Sequence, residues 1–407
     1  MAKQGRAGVA LLVTTIASFV GASVGIIMLM LFSEPIANVA FKFGPAEYFA
    51  MMVLGLVAAS VVSVGSAIKG ITMVVGGVLL GLVGTDVNSG VARFTLGFPE
   101  LMDGVGIVAL AMGLFGITEI IASINHVKSA DRKVDVSMKS MLPTRDEVRR
   151  SWGGMARGSG IGAWLGVLPG VGPTVAAFMA YAVEKRVSKT PERFGKGTVE
   201  GIMAPETANS ASDMASFIPT LTLGIPGSVT MALIIGALMI HGIQPGPAML
   251  TEQPEMFWGL IMSFWIGNVI LVILNVPMIG LWVRVLTIPY HMLYPAIIMF
   301  VCIGVYGVNN NVFDVYAVLL FGVAGYVLRV LHFEPAPLLL GYVLGPMLEE
   351  NFRRAMLLSR GNMTDAFIAR PISMWLLILT AVLLVWGVWS SMRQRPAVTP
   401  ADAAPQM

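Results

Sequence analysis

Apolar residues in this chain come in long unbroken runs rather than at alternating or singly recurring positions. No charged residue occurs between Arg6 and Glu34, Glu47 and Lys69, Asp213 and Glu252, Glu255 and Arg284, or Arg370 and Arg393. Each run reaches the roughly 20 residues that a helix needs to cross a hydrocarbon core. Membrane strands would alternate apolar and polar positions, and these stretches do not. Lipid offers no partner for backbone N–H and C=O groups, so the spanning elements are predicted to be helices. Full spans are expected at 8–32, 48–68, 256–283, 291–308 and 371–392. Shorter apolar pieces lie at 70–85, 104–124, 315–328 and 335–348. The first, third and fourth of these fall short of a crossing and are expected to be tilted, paired or re-entrant. The opening run extends to Phe32. That exceeds the about 7–15 apolar residues of a signal peptide, so it is predicted to be a retained span.

Charge then orients the chain. Eight Lys and Arg residues lie between Lys128 and Arg157, and Lys185, Arg186, Lys189, Arg193 and Lys196 follow. Both stretches are expected on the cytoplasmic side by the positive-inside rule. The segment 158–183 between them then cannot cross once. It is predicted to enter and return, turning at Pro169-Gly170-Val171-Gly172-Pro173.

Composition narrows the class. Of 407 residues, 56% are hydrophobic and 12% charged, against about 25% charged in soluble domains. A soluble protein is therefore excluded. Cys302 is the only cysteine, so neither an intramolecular disulfide nor a cysteine zinc cluster can form. The net charge of +3 resides in short loops and gives no reason to expect nucleic acid. The four histidines, His126, His241, His291 and His332, have no metal-ligand spacing. A membrane-embedded enzyme would need a nucleophile–base pair or a metal set at membrane depth, and the sequence offers neither. Trp386 and Trp389, near a span end, are expected to be interfacial anchors.

Two parts of the chain look alike. Ser18-Phe19-Val20-Gly21, followed by Pro35 and Lys42, matches Ser263-Phe264-Trp265-Ile266-Gly267, followed by Pro277 and Arg284. Repeats of this kind are common in secondary transporters, whose site lies between the halves. The second copy is preceded by a long stretch of Pro/Gly-broken helix that the first lacks, so the chain is expected to begin part-way through its first repeat.

The chemistry is expected in 164–250. Proline inside a helix removes a hydrogen bond and clashes with the preceding turn, and freed carbonyls survive at membrane depth only beside protein or water. Breaks at Leu168–Pro173, Leu223–Gly227 and His241–Pro247 therefore predict a cavity. Helix N-termini at such breaks attract anions. The expected anion-binding residues are Pro169, Gly170, Gly172, Pro173 and Thr174 at the first break, with Gly224, Pro226, Gly227 and Ser228 at the second. Glu206, Asn209, Ser210 and Ser212 form a polar stretch whose oxygens suit Na⁺, or whose carboxyl could carry a proton. A solvated loop capping the next helix is the competing expectation, and Asp213 is expected as the N-cap of that helix.

At these residues the chain resembles the large membrane subunit of the tripartite tricarboxylate transporter family, the TctA family. The resemblance is carried by Leu168-Pro-Gly-Val-Gly-Pro173, Phe194-Gly-Lys-Gly197, Ala204-Pro-Glu206, Leu223-Gly-Ile-Pro-Gly227 and Ala237-Leu-Met-Ile-His-Gly-Ile-Gln-Pro-Gly-Pro247. Pro337-Leu-Leu-Leu-Gly341, Leu344-Gly-Pro346 and Arg370-Pro-Ile-Ser373 extend it. It implies a multi-pass permease of the bacterial inner membrane, importing citrate or a related carboxylate on a Na⁺ or H⁺ gradient, with no other cofactor. The implied partners are a small four-helix membrane subunit and a periplasmic solute-binding protein. By resemblance the Pro-Gly motifs line the substrate site, with Glu206 and Asn209 as ion-coupling residues. Family members open with a further pair of Pro-Gly motifs, which implies roughly 90 residues before the point where this chain starts, enough for two spans. The family's second Asn after Asn209 is Ser210 here.

The expected architecture is all-α and polytopic, with two structural repeats and broken or re-entrant helices. Residues 1–127 form the first repeat, incomplete at its N-terminus, and 128–157 a cytoplasmic basic loop. A second repeat occupies 158–370, the last helix 371–392 and a tail 393–407. The function expected is ion-driven carboxylate uptake, and the alternative is a truncated, non-transporting membrane fragment.

Overall fold

A computed structural model describes residues 1, 6–62, 66–86, 89–123, 142–168, 172–285 and 290–393. Among the described residues the fold is all-α apart from one two-residue antiparallel pair, β1 (Gly84–Thr85) with β2 (Ala92–Arg93). The helices are α1 (Ala7–Ala40), α2 (Pro45–Val62), α3 (Ala67–Gly81), α4 (Ile107–Ala111) and α5 (Thr118–Ser123), the last two joined by a π turn. Next come α6 (Arg145–Gly166), α7 (Gly172–Val187), α8 (Glu200–Ala215), α9 (Phe217–Leu223), α10 (Val229–Ile240) and α11 (Ala248–Glu252). The chain continues through α12 (Pro254–Val285), α13 (Tyr290–Asn309), α14 (Val312–Val330), α15 (Ala336–Leu358) and α16 (Pro371–Arg393).

Four of these, α1, α12, α14 and α16, are long and apolar enough to cross a membrane. No more than 33% of the apolar window of any of them is buried within the protein. Ile266, Ile273, Leu320 and Val385 are each at least 60% exposed. Apolar surface on that scale is not tolerated in water, so these flanks face lipid. The piece expected at 315–328 therefore reaches span length, as 19-residue α14, because the helix begins earlier at Val312. The piece at 335–348 continues as α15 to Leu358. Its charged second half is supported by Glu349–Arg353 at 2.6 Å and by Glu350–Arg354, both one helical turn apart.

The chain divides into two compact units, one of Met1–Gly44 with Val83–Val327, the other of Pro45–Leu82 with Leu328–Met407. In the second unit α3 and α15 approach backbone to backbone. A Cβ on Gly77 would strike the Leu338 carbonyl, and one on Gly341 would strike Val74. Around them Phe49, Phe352 and Phe367 cluster with centroids 5.2–5.9 Å apart. Arg393 lies 3.8 Å over the Trp389 ring, which keeps the expected anchor at a charged helix end.

In the first unit the core is Ile26, Leu29, Ile218, Leu221, Met231, Phe257 and Ile261, drawn from α1, α9, α10 and α12. The basic stretch expected as a loop to Arg157 is already helical from Arg145. The reason is a capping box. Thr144 Oγ1 accepts from the Glu147 amide at 3.3 Å, and Glu147 accepts from the Thr144 amide at 2.9 Å. Arg6 adds a 2.9 Å ion pair to Glu147. The other basic residues of that stretch, Lys128 to Lys139, lie outside the described residues.

Burial pushes the Glu147 carboxyl up, but the Thr144 amide, the Arg6 guanidinium and the Thr144 hydroxyl outweigh it and hold the group below the usual carboxylate range. A depressed carboxyl stabilises the fold above its unfolded pKa and ceases to as pH falls through the folded value. Protection of the α6 amides 145–149 against hydrogen exchange should therefore fall below about pH 4. Thr144→Ala should weaken it at neutral pH by about 1 kcal/mol.

Candidate functional site

Helix α8 sits at the centre of the first unit because small residues let its neighbours close in. On one side Gly158, Gly162 and Gly166 of α6 abut Ala204, Ala208 and Ser212, every fourth residue meeting every fourth. On another, Gly21 and Gly25 of α1 meet Thr207 and Ala211. Such seams replace side-chain contact with backbone contact and fix helix spacing closely. The third face of α8 carries Glu206, Asn209, Ser210 and Asp213, at i, i+3, i+4 and i+7. That spacing makes one polar stripe on a helix among apolar neighbours.

The competing expectation of a solvated loop at Glu206, Asn209, Ser210 and Ser212 is thus corrected, since all four lie within α8. The expected N-cap role of Asp213 also fails. Asp213 lies inside α8, and α9 begins only at Phe217. Helix propensity of the small residues Ala204, Ala208 and Ala211 outweighs the loop-like polarity of the stripe.

Both Pro-Gly breaks belong to this unit. Pro169, Gly170 and Val171 lie outside the described residues. Their flanks, α6 and α7, run antiparallel and are clamped by a bidentate Arg157–Glu184 pair, with both N···O distances 2.8 Å. Gly172 opens α7 with φ +69°, a conformation that favours glycine. Pro173 and Thr174 occupy its first turn, and Thr174 is exposed. At the second break, Gly224 ends α9 at φ +68° with its amide bonded to the Thr220 carbonyl. Pro226 and Gly227 are buried. Ser228 caps α10, its hydroxyl oxygen accepting from the Met231 amide at 3.3 Å. The third break folds back on α9 through Gly246 N–H to Leu221 O, 3.0 Å.

The end of α6 lies beside the second break. A Cβ on Gly227 would lie 3.8 Å from the carbonyl oxygen of Gly166, the last residue of α6 and three residues before Pro169. Its other neighbour is the Ser216 side chain at 3.4 Å. One turn before Ser216, the Ser212 hydroxyl is fully buried with no hydrogen-bond partner among the described residues. Buried hydroxyls are nearly always satisfied, so this one is available to a polar partner.

Beside α8 lies a cavity of about 360 Å³ lined by Ser18 and Ala22 of α1, by Asn209, Ser210, Asp213 and Met214, and by Ser263, Phe264, Gly267, Asn268 and Leu271 of α12. Both Ser-Phe copies noted in the sequence therefore meet here, since α1 and α12 pack side by side. Asn268 donates to Phe19 O at 3.1 Å and Ser23 Oγ at 3.0 Å. Ser18 donates to Glu206 at 2.6 Å. Of the expected ion-coupling pair, Asn209 lines the cavity and Glu206 touches it through Ser18. Sequence reasoning missed Asp213 and Asn268 as site residues. The i, i+3, i+4, i+7 spacing on α8 was a signal for Asp213; nothing local singles out Asn268.

A family model described as the tripartite tricarboxylate transporter TctA family matches residues 1–340. An uncharacterized 52.8 kDa protein in the TAR-I ttuC' 3'region of Agrobacterium vitis is 47% identical over 396 residues, covering 97% of this chain and 78% of that protein. An uncharacterized protein in the TAR-II ttuC' 3'region of the same organism is 56% identical over 234 residues, covering 58% of this chain and 96% of that protein. No solved structure matches.

Proposed function

Since the chain belongs to the tripartite tricarboxylate transporter TctA family, a family of transporters and not of enzymes, we propose that it is the permease of an ion-driven carboxylate uptake system in the bacterial inner membrane. The observation that carries this is the approach of Gly227, in the second Pro-Gly break, to Gly166, the last residue of α6 before the first. A tricarboxylate needs several N–H and O–H donors and no nearby carboxylate. Broken-helix N-termini at Gly172–Thr174 and Ser228–Val229 supply such donors within a medium where they are worth more than in water. The unsatisfied Ser212 hydroxyl supports a polar occupant beside them.

The periplasmic binding protein delivers the anion, and the small four-helix subunit completes the membrane complex. Residues 1–127 and 158–370 act as two repeats, with 128–157 facing the cytoplasm, and alternating access comes from movement at the broken-helix joints. Glu206 and Asn209 belong to the ion-coupling path, driven by Na⁺ or H⁺.

The test is uptake of radiolabelled citrate into cells lacking their own citrate uptake, expressing this chain with both partners, and repeated with four-carbon dicarboxylates. Saturable uptake of at least one carboxylate that collapses with the ion gradient is expected. Absence of uptake for every carboxylate, with all three proteins present in the envelope, would overturn the transport function.

A further inference from the structure

The cavity between α1, α8 and α12 is lined by oxygens, and three of its polar side chains have their protons already committed. Ser18 directs its hydroxyl hydrogen to Glu206 Oε1 at 2.6 Å. Ser263 directs its own to the Leu260 carbonyl, also at 2.6 Å. Asn268 commits its NH₂ to Phe19 O and Ser23 Oγ. The amide orientation is fixed by chemistry, because Phe19 O is a pure acceptor and Ser23 gives its own proton to that same carbonyl at 2.7 Å. What Ser18, Ser263 and Asn268 have left is acceptor capacity. Asp213 adds a carboxylate that makes no side-chain hydrogen bond or ion pair among the described residues. No Lys or Arg lines the cavity.

We infer that this cavity is a binding site for one monovalent alkali cation, with Asp213 as its charged ligand and the oxygens of Ser18, Asn209, Ser210, Ser263 and Asn268 around it. A hard cation takes oxygen ligands, and a single carboxylate among neutral oxygens balances one positive charge. Divalent ions favour several carboxylates, and no group of three acidic, His or Cys side chains occurs among the described residues. The same inventory disfavours the carboxylate substrate, which would meet the like charge of Asp213 and no cationic side chain. An isolated carboxylate at membrane depth is costly unless a cation or proton joins it. The inference rests on the uptake function proposed above for its purpose, but not for its test. It moves the coupling charge from Glu206, whose carboxylate already holds Ser18, to Asp213 one face-length along the same stripe.

The experiment uses the purified full chain, without substrate or partners. Na⁺ replaces choline at constant ionic strength while the unfolding midpoint is followed. The wild type should show a saturable rise with Na⁺. Asp213→Asn should abolish the rise, and should unfold no earlier than wild type in choline, since a desolvated charge has been removed. Ser263→Ala, at an exposed position, should shift the Na⁺ titration to about tenfold higher concentration. Gly160→Ala, outside the cavity and with nothing within 4 Å of an added Cβ, should leave the titration within about twofold. A Na⁺ response that persists in Asp213→Asn, or is absent from wild type, overturns the site. So does a wild type that responds to pH and not to Na⁺, which would assign Asp213 to a proton. Failure of citrate uptake in cells leaves each of these readings intact, so the two ideas fall separately.

Discussion

Gly162→Ala should lower the unfolding midpoint markedly, whereas Gly160→Ala, two residues away on the same helix, should not. A Cβ at 162 would collide with the Ala208 carbonyl and lie 2.7 Å from its Cα, and these backbone atoms have no rotamer to yield. A Cβ at 160 meets nothing within 4 Å. Overpacking a seam of this kind costs about 1–3 kcal/mol for one methyl, and the larger Gly162→Leu is expected to prevent the folded state from accumulating. Gly160→Ala should be neutral or gain up to about 1 kcal/mol, because alanine is the better helix former. Thermal unfolding of the detergent-solubilised protein separates them. Equal midpoints for the two alanine variants would mean that α6 and α8 are not in backbone contact.

Gly227→Leu should remove transport while leaving the fold in place. At this position the first carbon of a side chain has ordinary room, 3.4 Å from Ser216 Cβ and 3.8 Å from Gly166 O. Gly227→Ala is therefore expected to insert, fold and transport at a reduced rate. Leucine extends three carbons further into the gap between the breaks, where the substrate is proposed to bind. Misplacing reacting or binding groups by about 1 Å already costs on the order of a hundredfold, so a loss of at least that size is expected. The check is initial-rate uptake normalised to membrane-inserted protein, with the Na⁺-dependent unfolding midpoint as a control for folding. Wild-type uptake by Gly227→Leu would place the substrate elsewhere.

Three of the five expected full spans, 8–32, 256–283 and 371–392, fall on helices of crossing length, because a charge-free run of that length has few alternative fates. Those at 48–68 and 291–308 fall on the shorter apolar helices Pro45–Val61 and Leu293–Asn309. Helix lengths were less legible. Val312 to Asp314 and the charged residues after Pro346 extend α14 and α15 in ways that a hydropathy window ends too soon. The start of α6 was readable in Thr144-Arg145-Asp146-Glu147, a capping box hidden inside a basic stretch that invited a loop assignment. Polarity misled again at α8. Glu206, Asn209, Ser210 and Asp213 look like loop chemistry until their helical spacing is counted.

The site itself was half visible. Prolines and glycines announce breaks, and Gly224 ends α9 in the left-handed conformation at φ +68°. What no local pattern supplies is partnership. Ser18 bonds Glu206 across 188 residues, and Asn268 bonds Phe19 across 249. The weak similarity between the Ser18 and Ser263 segments was the one long-range hint, and both serines line the same cavity.

The glycine seams on two sides of α8 have a mechanical corollary. Helices touching through their main chains cannot slide by exchanging rotamers, as helices interlocked by long side chains can. The α1–α6–α8 trio should accordingly travel as a single stiff plate, and bending in this unit is left to the glycine joints at 224–227 and 242–246 that follow it.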